Sequence, residues 1–286
     1  MTPYALFTDG TCDIPREYRQ IYEINYLPMK ITINPQTLEF SDGWTQDEYS
    51  EFYRRLRSGQ IASTTQITPF EYEEAFEKRL VKGEDILYIG FSSGMSDTMQ
   101  SARLAARNLM EKYPERRVVA LDSKSVTGGL GMLVFKACKN RESGMSIEDN
   151  AREIERLSKS CTIWFTVDDL YYLGRSGRLN TISAIMGSAL HIKPLVEVSD
   201  GRLVIREKVQ GRKSSIKALV KKAAQLSGGK TLKHVLVTHT DAEDAATQLV
   251  SQLKSAIDAE EILYMEMSPI IGAHVGPGLV SVIFID

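Results

Sequence analysis

At 286 residues, with 43% hydrophobic side chains, 25% charged ones and a formal net charge of −2, the chain is long enough for two globular domains and too apolar for a disordered segment. So even a balance excludes a globally basic nucleic-acid binder, and its strand-sized apolar runs exclude a membrane-spanning helix, which needs ~20 such residues. Three scattered cysteines, Cys12, Cys138 and Cys161, contain no CxxC pair; they argue against a disulfide frame or structural zinc and suit a reducing cytoplasm.

The N-terminus, Met1–Phe7, has no basic flank of a signal peptide and reads as a first strand. Short apolar strands then alternate with amphipathic helices, the pattern of an α/β layer with a mainly parallel sheet. The expected strands are Ala5–Thr8, Met29–Ile33, Asp85–Phe91 and Arg117–Leu121. The expected helices are Pro15–Ile21, Gln46–Arg57, Pro69–Leu80, Asp97–Tyr113, Ser125–Asn140 and Ile147–Lys159. Ligands of such sheets lie past the carboxyl ends of the strands, which singles out the loops Asp9–Asp13, Ser92–Thr98 and Asp122–Gly129.

Near residue 160 the pattern changes. A strand at Thr162–Val167 precedes a short helix, the loop Gly174–Arg178 and a further helix leading to Ile192–Val198. Ser199-Asp-Gly201 then turns directly into Leu203–Val209, a hairpin, so the second sheet is at least partly antiparallel. Helices at Lys213–Leu226 and Ala242–Ile257 and strands at His234–Thr238, Glu261–Glu266 and Leu279–Phe284 complete it. The division predicted is 1–160 for a Rossmann-like α/β domain and 161–286 for a mixed-sheet α/β domain.

Four segments carry candidate chemistry. Ser92 and Ser93 stand between a strand and a long helix, whose unpaired N-terminal amides favour an anion; the ordinary alternative is a turn with Ser96 or Asp97 as helix cap. Thr68, Pro69 and Glu71 form a capping box, which leaves Thr64, Thr65 and Gln66 as surplus polar groups just upstream. Gly272–Gly278 is a glycine-rich loop carrying His274, which is either a surface histidine or a group held close to a ligand. Arg175 and Arg178 lie three apart in a loop, a spacing suited to carboxylate or phosphate. From Arg202 to Lys233 ten Lys or Arg face one acid, Glu207, as a solvated helix face or as a dock for an acidic partner. No P-loop, GxGxxG or GxSxG motif occurs, and the histidines have no metal-ligand spacing, so no cofactor or metal is expected.

Taken in order, Thr8–Pro15, Ser63–Phe70, Phe91–Ala102, Leu121–Ser125, Leu173–Arg178, Lys193–Leu195 and Gly272–Gly278 resemble the DegV family of bacterial fatty-acid-binding proteins over nearly the whole chain. The resemblance implies a Rossmann-like domain and a mixed-sheet domain enclosing a long-chain fatty acid. It further implies that Thr64 with Thr65 and Ser93 with Ser92 hold the carboxylate, with His274 and Arg175 in its polar network. It implies, too, a role like that of the family's best-understood branch, as the acyl-carrying subunit, catalysing nothing alone, of a two-component fatty acid kinase. A separate ATP-binding subunit, related to dihydroxyacetone kinases, phosphorylates the carboxylate; Arg178 and Arg212 would face it. Where the family usually reads Ser-Gly-Thr-Tyr-Gln, this chain has Ser96-Asp-Thr-Met-Gln100, which sets the charge of Asp97 beside the expected anion. The alternatives are a stand-alone acyl hydrolase or transferase using Ser93 and His274, and a lipid-sensing regulator.

Overall fold

A computed structural model describes residues 3–40, 44–179 and 191–286. The first half runs β1 (Tyr4–Asp9), α1 (Arg16–Ile21), β2 (Asn25–Leu27), β3 (Met29–Ile33), β4 (Gln36–Phe40), α2 (Gln46–Arg57), β5 (Ala62–Thr65), α3 (Pro69–Leu80), β6 (Asp85–Gly90), α4 (Thr98–Lys112), β7 (Val118–Asp122), α5 (Thr127–Glu142) and α6 (Ile147–Ser158). The second runs β8 (Cys161–Thr166), α7 (Leu170–Ser176), β9 (Ile192–Ser199), β10 (Arg202–Gln210), α8 (Arg212–Ser227), β11 (Leu232–His239), α9 (Glu243–Ala256), β12 (Ala259–Glu266), α10 (Pro269–Val275) and β13 (Val280–Ile285). The helix expected just before Ile192 lies outside the described residues.

The parallel sheet has the order β2-β1-β6-β7. Strands β1 and β6 are buried along their whole length, as helices on both faces require, and so read as continuous apolar runs. The second sheet has the order β10-β9-β8-β13-β11-β12 and is mixed: β11 and β12 run parallel, and the other neighbours are antiparallel. The hairpin expected at Ser199–Gly201 joins β9 to β10, with Asp200 and Gly201 at φ 46° and 73°.

One expected strand belongs elsewhere. Met29–Ile33 is not in the parallel layer but is the centre of a separate antiparallel sheet, β4-β3-β5. Only Pro28 separates β2 from β3, too little chain for the crossover that a parallel neighbour needs. Its alternating burial is that of a sheet covered on one face. Two further segments near the candidate residues are regular: Ala62–Thr65 is the edge strand β5, and the helix α10, Pro269–Val275, takes in the first part of the expected loop Gly272–Gly278.

The capping box at Thr68 and Glu71 is formed, and a second one at Thr45 and Glu48 starts α2; each cap contributes about 1 kcal/mol. The core under the first half holds Tyr72, Phe76 and Tyr88, all at 0% exposure, and takes in Ile270 and Ala273 of α10. Truncating Phe76 to alanine there would cost about 3–5 kcal/mol. The next residue, Ile271, packs with Val275, Phe165 and Val196 in the core under the mixed sheet. Helix α10 thus joins the two halves.

Candidate functional site

Between the C-terminal edge of the parallel sheet, the mixed sheet and α10 lies a narrow, partly open cavity. Its wall is mostly apolar: Met29, Phe91, Met95, Val126, Ile163, Phe165, Leu203, Met267, Ile270, Ile271 and Leu279 among others. An open groove outside it shares Thr64, Ser96, Ser176 and Arg178 with the cavity wall, together with Met29, Met95 and Leu203, so these residues ring the mouth. Away from the groove, the hydroxyls of Thr11, Thr127 and Ser281 are already engaged, by Asp9, Asp13 and Thr238 respectively.

At the mouth a chain of hydrogen bonds has one possible direction. Arg178 Nη1 lies 3.4 Å from His274 Nδ1. A guanidinium only donates, so Nδ1 accepts and the imidazole proton sits on Nε2. That N–H faces Thr64 Oγ1 at 2.8 Å. Thr64 accepts it and keeps its own O–H to donate. Burial, then Arg178 and Arg175, push the imidazole down to about 4, so it is neutral near pH 7. The result is a donor set around an apolar space, which suits a carboxylate head on a hydrocarbon tail.

The other expected residues are placed as follows. Arg175 does not line the cavity. Its guanidinium donates to the carbonyls of Ala62 (3.2 and 3.3 Å) and Ala273 (3.2 Å), bracing β5 against α10, the elements that carry Thr64 and His274. Thr65 is exposed in the outer groove. Ser92 is fully buried and donates to the Gly201 carbonyl at 2.8 Å. There the hairpin tip packs so closely that a Cβ on Gly201 would meet Ser92 Oγ at 2.2 Å. Ser93 donates to Asp122 Oδ2 at 2.5 Å. Burial pushes the Asp122 carboxyl up, but Ser93, the Lys124 amide and the Lys124 charge outweigh it and hold the group low. Ser93 bonds to Asp122 and His274 to Thr64 and Arg178, so the Ser93–His274 pair of a hydrolase is not formed.

Arg178 lines both cavity and groove, donating also to the carbonyls of Ser176 (2.7 Å) and Met95 (3.4 Å). Arg212 lines neither; its Nε lies 3.5 Å from Asp168, which also pairs with Lys193. Asp97 is exposed and borders only the groove.

Sequence reasoning passed over Ser96 as part of the cavity wall and Ser176 altogether. Ser96 accepts from the Thr98 amide at 3.2 Å and donates to Thr98 Oγ1 at 3.1 Å, a turn just before the Asp97 N-cap, yet it also lines the cavity. Its place in the run before α4 was the available signal. Among the described residues no group of three or more His, Cys, Asp or Glu could hold a metal ion, and no helix is long and apolar enough to cross a membrane.

Fold and site define a three-sheet α/β protein built around an apolar cavity with a hydrogen-bonding mouth. The family model described as "Uncharacterised protein, DegV family" matches residues 3–286, and the chain belongs to the DegV family. A DegV domain-containing protein of Clostridium perfringens is 32% identical, over 100% of this chain and 98% of its own length. Among solved structures, the fatty-acid-binding DegV family protein of Thermus thermophilus is 27% identical with a TM-score of 0.89, covering 100% of both chains. DegV of Bacillus subtilis, a fatty acid binding protein, is 26% identical with a TM-score of 0.80, covering 100% of this chain and 99% of its own.

Proposed function

We propose that this protein binds one long-chain fatty acid, with the tail in the cavity and the carboxylate at Thr64 and Arg178, Thr64 being oriented by His274. The observation that carries this reading is the Arg178–His274–Thr64 chain, which aims a hydroxyl donor at the polar end of an otherwise apolar space. Magnitudes agree with it. Burying about 14 methylenes contributes on the order of 11 kcal/mol gross, of which association removes a large part. The tail supplies affinity, and Thr64 and Arg178 fix the head.

The bound carboxylate is then presented to a separate ATP-binding subunit, related to dihydroxyacetone kinases, for conversion to an acyl phosphate. The resemblance of the motifs supports this step, as does the open groove lined by Thr65, Ser93 and Arg178 outside the mouth. A hydroxyl and a guanidinium donor both favour the anionic carboxylate that attacks a phosphoryl group. The test is acyl phosphate formation from ATP and palmitate with and without such a subunit. Product is expected only when both proteins are present. Acyl-ester turnover by this chain alone would instead favour a hydrolase, and ligand binding without phosphorylation a lipid sensor.

A further inference from the structure

Five residues of the cavity wall, Met267, Ile270, Ile271, His274 and Val275, lie on or next to α10. This helix has seven residues, a glycine at 272 and no side-chain cap. So short a helix has little stability of its own, and the position of His274 depends on what grips the ends. Near the C-terminal end the grip is Arg175 on the Ala273 carbonyl. At the N-terminal end it is the Gly10–Asp13 turn. The Ser268 amide donates to Asp13 Oδ1 at 2.9 Å, and Ser268 Oγ donates to the Gly10 carbonyl at 3.0 Å.

The other oxygen of Asp13 accepts from Thr127 Oγ1 at the start of α5. The turn and α5 are joined again by the Thr127 amide on the Thr11 carbonyl at 3.1 Å. Thr127 lines the cavity at φ 51°, a left-handed conformation that a β-branched residue adopts only when its surroundings impose it. One carboxylate thus ties together three walls of the cavity. It is 6% exposed, and its hydrogen-bond partners are a hydroxyl and an amide rather than a cation. Burial pushes the carboxyl up to about 7, against the pull of those two partners.

We propose that Asp13 is a positioning residue of the acyl site, a latch that holds α10, and His274 with it, against the edge of the parallel sheet. Its link to ligand retention rests on the fatty-acid reading; the latch itself does not. The titratable groups around it are Cys12 on its own loop, Asp9 of β1, Arg19 of α1, Tyr26 of β2, Tyr49 and Tyr53 of α2 and Glu266 of β12; α5 and α10 bring the Thr127 and Ser268 partners.

The test is amide hydrogen exchange of the unliganded full chain in Asp13→Ala, Asp13→Asn and Thr127→Val. Asp13→Ala removes both acceptors, so exchange within 270–275 should rise on the order of ten- to a hundredfold, the loss of a hydrogen bond to a charged group, while β8 and β13 stay protected. Asp13→Asn keeps one acceptor for Ser268 and should restore most of the protection. Unlike the wild type, it should also show no fall in stability attributable to this group as pH rises from about 4 to 7. Thr127→Val removes one arm only and gives a smaller rise, which decides the matter if Asp13→Ala does not fold. Wild-type exchange in α10 for both Asp13→Ala and Thr127→Val would overturn the latch, as would failure of Asp13→Asn to restore protection. With palmitate, Asp13→Ala should release ligand faster by a similar factor. A wild-type protein that bound no palmitate would instead sink the fatty-acid reading and leave the exchange result standing.

Discussion

Two hydroxyl-bearing segments look alike in sequence and come to different chemistry. Ser63–Thr65 and Ser92–Ser96 each set hydroxyls just before a helix. In the fold, Thr64 faces a neutral imidazole that donates to it, and its own hydrogen stays available. Ser92 and Ser93 face acceptors, the Gly201 carbonyl and Asp122, which take their hydrogens. What lies opposite a hydroxyl decides whether it can serve a ligand, and those acceptors come from 109 and 29 positions away. Ser96 lines the cavity wall too, but its hydrogen goes to Thr98 Oγ1.

The sharpest way to break this comparison is Thr64→Val. It keeps the shape, deletes the donor and leaves His274 Nε2–H without its acceptor. Palmitate binding should weaken by about 1.5–3 kcal/mol, ten- to a hundredfold, measured by calorimetry on protein whose thermal unfolding is unchanged. A smaller loss than that of Ser93→Ala would invert the assignment.

The pH profile separates the imidazole from its surroundings. The native state lowers His274 from 6.5 to about 4, so it prefers the neutral ring, and the stability this contributes is lost as pH falls from about 6.5 through 4. Asp13 runs the other way: raised from 3.8 to about 7, it weakens the fold as pH rises through that window. Chemical denaturation of His274→Ala and wild type at several pH values should therefore show a stability gap that shifts in favour of the variant as pH falls from 6.5 to 4. A gap independent of pH would place the imidazole in a wetter setting than the cavity wall.

Arg178→Met keeps much of the aliphatic stem and removes the donor to Nδ1. Binding should weaken by about 1.5 kcal/mol, the low end for a bond to a charged group, and the ring should titrate higher in an NMR experiment, because Arg178 is one of the charges holding it down. An unmoved titration would take Arg178 out of the chain. The smallest effect is expected for Ser93→Ala, below about 0.5 kcal/mol on ligand binding. Its mark should appear instead at Asp122, whose carboxyl rises once the Ser93 hydrogen bond is gone.

Much of the fold was legible. Strong periodicity and caps located α2 and α3 to the residue, and the turn at Asp200-Gly201 disclosed the antiparallel half. Three elements near the site were not. Strand β5 is four residues of Ala, Ser and Thr with no apolar alternation. Helix α10 is buried nearly all round, so it shows no amphipathic stripe, and its glycines read as loop. Strand β3 was found, but its sheet depends on a one-residue link at Pro28 that periodicity does not weigh. The site followed the same rule: Thr64, Arg178 and His274 stood out as polar groups in suggestive places, while the choice among serines turned on partners distant in sequence.

Native mass spectrometry of the purified protein tests the central claim most directly. The wild type should carry, or take up from an equimolar mixture of palmitate and hexadecanol, one long-chain acid per chain, and Thr64→Val should lose it at the same concentration. A wild-type protein that took up neither molecule, or bound the alcohol as readily as the acid, would contradict a cavity whose mouth is built to hold a carboxylate.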